Sequence, residues 1–482
     1  MACTTILAGK NATYDGSTMI ARNDDSGAGS YTPKKLEIVT PDKQPRHYCA
    51  VISHAEIDLP DDPMRYSAVP NALEGEGIWA GAGVNAANVA MTATETIASN
   101  ARVLGADPLV KGGIGEEDFV TIVLPYIRTA REGVLRTGAL LEQYGTYEMN
   151  GIACSDVNEI WWMETIGGHH WIAKKVPDDH YVVMPNESGI DSIDLDDALG
   201  EGRENLCSAD LRSFIADNHL DLSMNGTLNP REAFGTQDDA DHVYNTPRAW
   251  YMLRHFNPRS FCWDGPQAQY TPMSNDLPWS LVPERKITVE DVKYILSSHY
   301  QGTPYDPYSS TGDGSMRGAY RSIGVNRTDF LALLQLRPYA PAPICAVEWL
   351  TFGSNVFNAF VPFYPNTDKV PDYLSNTGKN VDTASYYWNS RLIAALADAQ
   401  YAACKVHIER YQEKVSACAH EIIGRYDKEI SSLTKEDEIV KAIEKANEES
   451  ASMLKKNTAD VLLKVLNETS NKMRNAYARS DA

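Results

Sequence analysis

Two runs rich in aromatic and β-branched residues, 159–166 (EIWWMETI) and 171–176 (WIAKKV), flank the tetrapeptide Gly167-Gly168-His169-His170. Both arms suit a pleated surface and the glycine pair suits a tight connection, so the segment predicts an antiparallel hairpin. Such a hairpin has two faces to cover and needs further strands. The stretch "HYVVMP" after it predicts one of them.

Other elements follow from period and punctuation. Residues 3–25 predict a second hairpin, with strands at Thr4–Ala8 and 18–22 and the turn formers of "GKNATYDGS" between them. Shorter strands are predicted at 36–39, 49–53, 78–84 and 89–94, and "AVEWLTFG" with "VFNAFVPFY" predicts a closing hairpin. Residues 116–144 carry apolar side chains at helical spacing and predict two helices joined near Gly133; 287–299 predicts another. After about residue 382 glycine becomes rare. There 390–430 predicts one long helix, and Thr434 with Asp437 forms a capping-box-like start to a second, running towards Met473. The pattern is an α+β chain, sheet on sheet with helices outside, divided into a body at 3–383 and a helical C-terminal extension at 384–482.

Bulk properties narrow the function. The 482 residues hold 44 Lys+Arg against 65 Asp+Glu, a net charge of −21, which repels phosphate backbones and anionic membranes. Nucleic acid and membrane are therefore not expected partners. No run approaches the roughly 20 apolar residues that cross a bilayer, and the first apolar run ends at Gly9-Lys10, too short for a signal peptide. Eight scattered cysteines without a C-x-x-C pair are neither a disulfide framework nor a zinc ribbon. The chain reads as cytoplasmic with reduced thiols. "GGHHW" offers adjacent histidines that a strand points to opposite faces, with no third ligand at suitable spacing, so a turn with an edge histidine is expected rather than a metal site. "GGIGEED" precedes a helix without the strand a dinucleotide site needs.

The first hairpin carries the chemistry. Pairing its strands brings Cys3 beside the 22–25 segment, Arg-Asn-Asp-Asp. A cysteine next to a cation and a carboxylate is a setting that lowers a thiol pKa and holds a base; an Arg–Asp pair at a strand end is otherwise worth little.

"CTTI" with "ARNDD" on the returning strand resembles the N-terminal-nucleophile hydrolases, and more narrowly the bacterial dipeptidase A family, related to secernins and more distantly to choloylglycine hydrolases and penicillin V acylases. "GAGVNAANVAMTATET", the aromatic hairpin followed by "PNESGI", and "YNTPRAWYMLR" carry the same resemblance, which spans residues 3 to about 370. It implies a four-layer αββα sandwich and a cysteine-type dipeptidase acting on small peptides without cofactor or metal, in a homo-oligomer. The implied nucleophile is Cys3, with its own α-amine as the base. Arg22 would favour the thiolate and Asp25 would orient the amine, with Asp24 as the adjacent rival. Asn85 would donate to the oxyanion, Asn186 would hold the amine or complete the oxyanion site, and Arg248, which Arg254 rivals, would serve a carboxylate-ended substrate. Two other readings stand beside this one: an amidase of the related acylase type, and a non-catalytic scaffold acting through its helical tail. Met1-Ala2 precede Cys3, so the α-amine is an amide as translated, and the implied chemistry requires that bond to break.

Overall fold

The computed structural model describes residues 3–224 and 226–473. Two antiparallel sheets organise the chain. In chain order the strands are β1 (Thr4–Ala8), β2 (Thr18–Asp25), β3 (Glu37–Val39), β4 (His47–Cys49), β5 (Glu56–Asp58), β6 (Tyr66–Ala68), β7 (Ala82–Val84), β8 (Ala90–Thr96) and β9 (Asn150–Ser155). They continue as β10 (Ile160–Ile166), β11 (His170–Lys175), β12 (Tyr181–Met184), β13 (Asn205–Cys207), β14 (Ser280–Leu281), β15 (Thr328–Leu336), β16 (Ala346–Phe352) and β17 (Val361–Phe363). A seven-stranded sheet has the order β14-β12-β1-β2-β15-β16-β17, and a six-stranded sheet the order β13-β11-β10-β9-β8-β7. The pairs β3–β6 and β4–β5 form small separate ribbons.

Strand alternation decides what each face buries. Leu7 and Ile20 of the seven-stranded sheet share an apolar cluster with Ala153, Trp162 and Ile172 of the six-stranded one. Their neighbours Ile6, Ala8, Met19 and Ala21 point the other way, into a cluster with Trp250 and Leu253 of the Thr246–Phe256 helix and Ile295 of the Val289–Leu296 helix. On the six-stranded sheet Trp161, Met163 and Trp171 pack with Phe119, Val134 and Leu141 from the Glu116–Val123 and Ala130–Tyr144 helices. Trp161 and Trp162 are thus both core residues on opposite faces.

The aromatic hairpin forms as its composition predicts, with Trp161 opposite Lys175 and Ile166 opposite His170. Helix boundaries differ from expectation where local chemistry intervenes. The first helix pair breaks at 124–129 rather than near Gly133, because Pro125 lacks the donor to continue a helix and Thr129 caps the next one by accepting from the Glu132 N–H. The predicted 390–430 helix is two, Tyr386–Ala397 and Tyr401–Ser431, separated by a 3₁₀ turn at Asp398–Gln400. The last helix begins at Glu436 behind Lys435, without a side-chain cap, so Thr434 does not close a capping box.

The C-terminal helices are bonded into the sheet. Asn447 of the Glu436–Ser470 helix accepts from the Tyr364 N–H at 2.8 Å and donates to the Tyr364 carbonyl at 3.0 Å, continuing β17 with a side-chain amide. Both groups are buried. Asn447→Ala is expected to leave a donor and an acceptor unpaired and to cost about 2–4 kcal/mol, read as a lower midpoint in chemical denaturation with an unchanged slope.

Candidate active site

The β1–β2 register pairs Thr4 with Asn23 and Thr5 with Arg22. Residues opposite one another share a face, and the period of two then fixes the rest. Thr5 and Arg22 lie on the side of Leu7 and Ile20, which faces the other sheet, and Cys3 and Asp24 follow them there. Asn23 and Asp25 lie on the helix side.

One nitrogen organises the cluster. Arg22 Nη2 lies 2.9 Å from Cys3 Sγ, 2.8 Å from Asp24 Oδ1 and 2.9 Å from Glu116 Oε1. Lys34 Nζ takes the other Asp24 oxygen at 2.6 Å. All five side chains are buried. A guanidinium donating to sulfur stabilises thiolate over thiol. Burial alone would raise the Asp24 carboxyl, but Lys34 and Arg22 hold it below the ordinary carboxylate range. Both cations also stand over the Phe330 ring, at 5.9 and 5.4 Å from its centroid. Beneath the ring Gly81 has φ +66°, and an added Cβ there would meet Phe330 Cζ at 2.9 Å. Nearby, burial and the Asp24 charge push Asp329 up to about 7.

Cys3, Asp24 and Glu116 lie close enough together to serve as a metal-ligand set. Arg22 Nη2 already fills the point they converge on, so the donors are spent on a guanidinium. The residues do not fit a metal ion without displacing it.

The remaining expected residues divide between two places. Arg248, from the Thr246–Phe256 helix, donates to the Cys3 carbonyl and, at 2.7 Å, to Thr4 Oγ1. Asn186 Oδ1 and Asn245 Oδ1 accept from its second nitrogen at 2.8 and 2.7 Å. Arg254 is instead turned towards solvent and paired with Asp264, so Arg248 is the arginine that reaches Cys3. Asp25, preferred over Asp24 through the family resemblance, points to the helix side, where it pairs with Arg321 and accepts from Thr328 Oγ1 at 2.6 Å. Asn85 donates to the Leu124 and Ile127 carbonyls at 2.8 and 2.7 Å and accepts from the Ala87 and Val89 N–H groups. Both its amide protons and its oxygen are thereby used within the 85–89 turn and the loop beside it. His169 and His170 both turn Nδ1 to Asp107, at 2.8 and 2.7 Å, a structural clasp on the hairpin. Met1 and Ala2 lie outside the described residues.

The sequence profile of peptidase family C69 matches residues 2–414. The chain belongs to peptidase family C69. It is 58% identical over 447 residues to a Bifidobacterium longum protein named dipeptidase, covering 90% of this chain and 84% of that one. A Streptococcus pyogenes protein named probable dipeptidase A is 52% identical over 482 residues, the full length of both chains. Dipeptidase A of Lactobacillus helveticus is 43% identical over 97% of this chain and 96% of its own.

The cluster in this C69 peptidase also contains residues that no motif signalled. Glu116 opens a helix whose first turn, Glu116-Glu117-Asp118, is buried, and a helix N-terminus tolerates such acids. Its acids were the available clue, within a stretch read above for its glycines and for the helix that follows them. Nothing around Lys34 distinguishes it from its neighbour Lys35. Asp24 is a carboxylate with a depressed pKa, so its contribution to stability is present above the unfolded value of about 3.9 and is lost as pH falls through the lower folded value. Lys34→Met removes one of the two cations that depress it. Acid titration followed by circular dichroism is expected to show Lys34→Met unfolding at higher pH than wild type.

Proposed function

We propose that this peptidase hydrolyses short peptides, chiefly dipeptides, through Cys3 as an N-terminal nucleophile, within an αββα fold of the N-terminal-nucleophile type. The observation that carries the reading is the 2.9 Å contact from Arg22 Nη2 to Cys3 Sγ, on the first strand of a C69 peptidase. Relatives bearing the name dipeptidase support the substrate class. Support for the layered fold comes from the cluster shared by the two sheets and the helix-bearing clusters on their outer faces.

The chemistry requires Cys3 to begin the mature chain. Its α-amine, with an ordinary pKa of about 7.7–8.0, would take the proton of a thiol whose ordinary value is about 8.5, a transfer costing about 1 kcal/mol before Arg22 assists. Charge favours the same step. Arg22 and Lys34 balance Asp24 and Glu116, and a thiolate–ammonium pair adds no net charge to that interior.

The thiolate attacks the peptide carbonyl and forms a C–S bond. As the C–N bond breaks, the α-ammonium gives its proton to the leaving amine, and a thioester remains. Water then attacks, the amine takes its proton, and the C–S bond breaks to release the second amino acid.

In this reading Arg22 favours the thiolate, Asp24 holds Arg22 on the thiol's face, and Arg248, backed by Asn186, fixes the Cys3 carbonyl. Asp25 braces the end of β2 through Arg321. Donation by Asn85 to the oxyanion would cost it a buried carbonyl partner, so we assign it to holding the 85–89 turn.

A panel of unmodified dipeptides, with penicillin V alongside, tests the proposal in wild type and Cys3→Ala. Wild type is expected to cleave dipeptides and to turn over penicillin V poorly. Cys3→Ala, checked for folding by circular dichroism, should lose on the order of 10³-fold or more in kcat/KM. Wild-type turnover in folded Cys3→Ala would overturn the nucleophile assignment.

A further inference from the structure

Away from Cys3, a cavity of 240 Å³ opens between the Val289–Leu296 helix and the C-terminal Tyr401–Ser431 helix. Its walls include Trp349, Val356, Phe360, Tyr401 and Ile408. That volume exceeds the roughly 150 Å³ that holds a benzene molecule in an apolar protein interior.

Two lysines line this space, Lys293 and the exposed Lys405, which pairs with Glu409. Lys293, partly buried, donates from Nζ to Ser297 Oγ at 2.9 Å and to the Asn355 carbonyl at 2.8 Å, both neutral acceptors. No carboxylate lies within ion-pair distance of it among the described residues. The acids nearby are engaged elsewhere or exposed: Glu290 with His420 at 2.6 Å and Ser416 at 2.7 Å, Glu409 with Lys405 at 3.5 Å, and Glu413 open to solvent. Burial without a counter-charge pushes the Lys293 ammonium down to about 7. An ammonium has three protons to give, and the two acceptors here account for two of them.

The anchor is rigid. Asn355, whose carbonyl holds Lys293, also donates to Asn23 Oδ1 at 2.9 Å and to the Leu296 carbonyl at 2.9 Å. Asn23 in turn donates to the same Leu296 carbonyl at 2.8 Å. Lys293 is therefore fixed to the hydrogen bonds that hold β2 between Arg22 and Asp24.

We propose that this cavity is a second ligand site, taking a small carboxylate with an aromatic or branched aliphatic body, its carboxylate on Lys293 and its body against Trp349, Phe360 and Ile408. A carboxylate supplies the missing counter-charge, and the walls supply the apolar contact. The site is independent of the peptidase chemistry and of the reading given for Cys3.

Isothermal titration calorimetry of the full chain with 3-phenylpropionate, and with its neutral isostere 3-phenylpropanamide, tests this. Lys293→Met removes the charge at similar length. Ser416→Phe fills the space from a partly exposed position and leaves Lys293 intact, so it decides the matter should Lys293→Met fail to fold. Wild type is expected to bind the carboxylate at least about tenfold more tightly than either variant does, and at least about tenfold more tightly than it binds the amide. No heat from 3-phenylpropionate in wild type, equal affinity for acid and amide, or affinity retained in a folded variant would overturn the proposal.

Discussion

The end of the molecule that carries Cys3 depends on one guanidinium buried between two sheets. Arg22 reaches the thiol, Asp24 on its own strand, and Glu116 on a helix packed against the other sheet. Taking such charges out of water costs several kcal/mol each unless they meet partners of opposite sign, and here two cations meet two carboxylates. Removing the arginine would leave Asp24 with Lys34 as its remaining cation and take from Glu116 its contact at 2.9 Å. The same contact joins the layers, and in the proposed mechanism it also favours the thiolate, which would tie stability to reactivity at this end.

Close backbone approach makes room for that arrangement. A Cβ on Gly83 would lie 1.8 Å from the Ser67 carbonyl oxygen, and one on Gly81 would strike Phe330, the ring over which Arg22 and Lys34 stand. Gly81 is therefore a packing requirement of the cation cluster, and Gly83 of the close approach to β6. On the opposite face of β2, Asn23 and Asp25 tie the strand to the Leu296 carbonyl and to Arg321. One strand accordingly carries the groups around the thiol on one face and bracing groups on the other.

Much of this was legible in the residues, and the failures have physical causes. Aromatic and β-branched residues along 159–176 specified a hairpin, because a sheet buried on both faces needs apolar side chains in a nearly continuous run. The 4–25 hairpin was equally clear, but a nine-residue connection does not set register, and a slip of one residue exchanges Asp24 for Asp25. Asp25 was preferred through the family resemblance, and the register places Asp24, its rival, on the thiol's face. Lys34 and Glu116 reach Asp24 and Arg22 through tertiary packing, which no local period encodes. The break at Asp398–Gln400 carries neither glycine nor proline, so a helical pattern ran through it unmarked. Arg248 and Arg254 sit on one helix; its tertiary packing separates the buried Arg248 from the half-buried Arg254.

The central claim is that Cys3 acts as nucleophile with its own amine as base, and it makes a demand on covalent structure. The most direct test is the intact denatured mass of a homogeneous sample that hydrolyses dipeptides. A chain beginning at Cys3 is the predicted result, since only then is the amine available to take the thiol's proton. An equally active chain that retains Ala2 would contradict the account, because its Cys3 nitrogen would be an amide and the base would have to come from elsewhere.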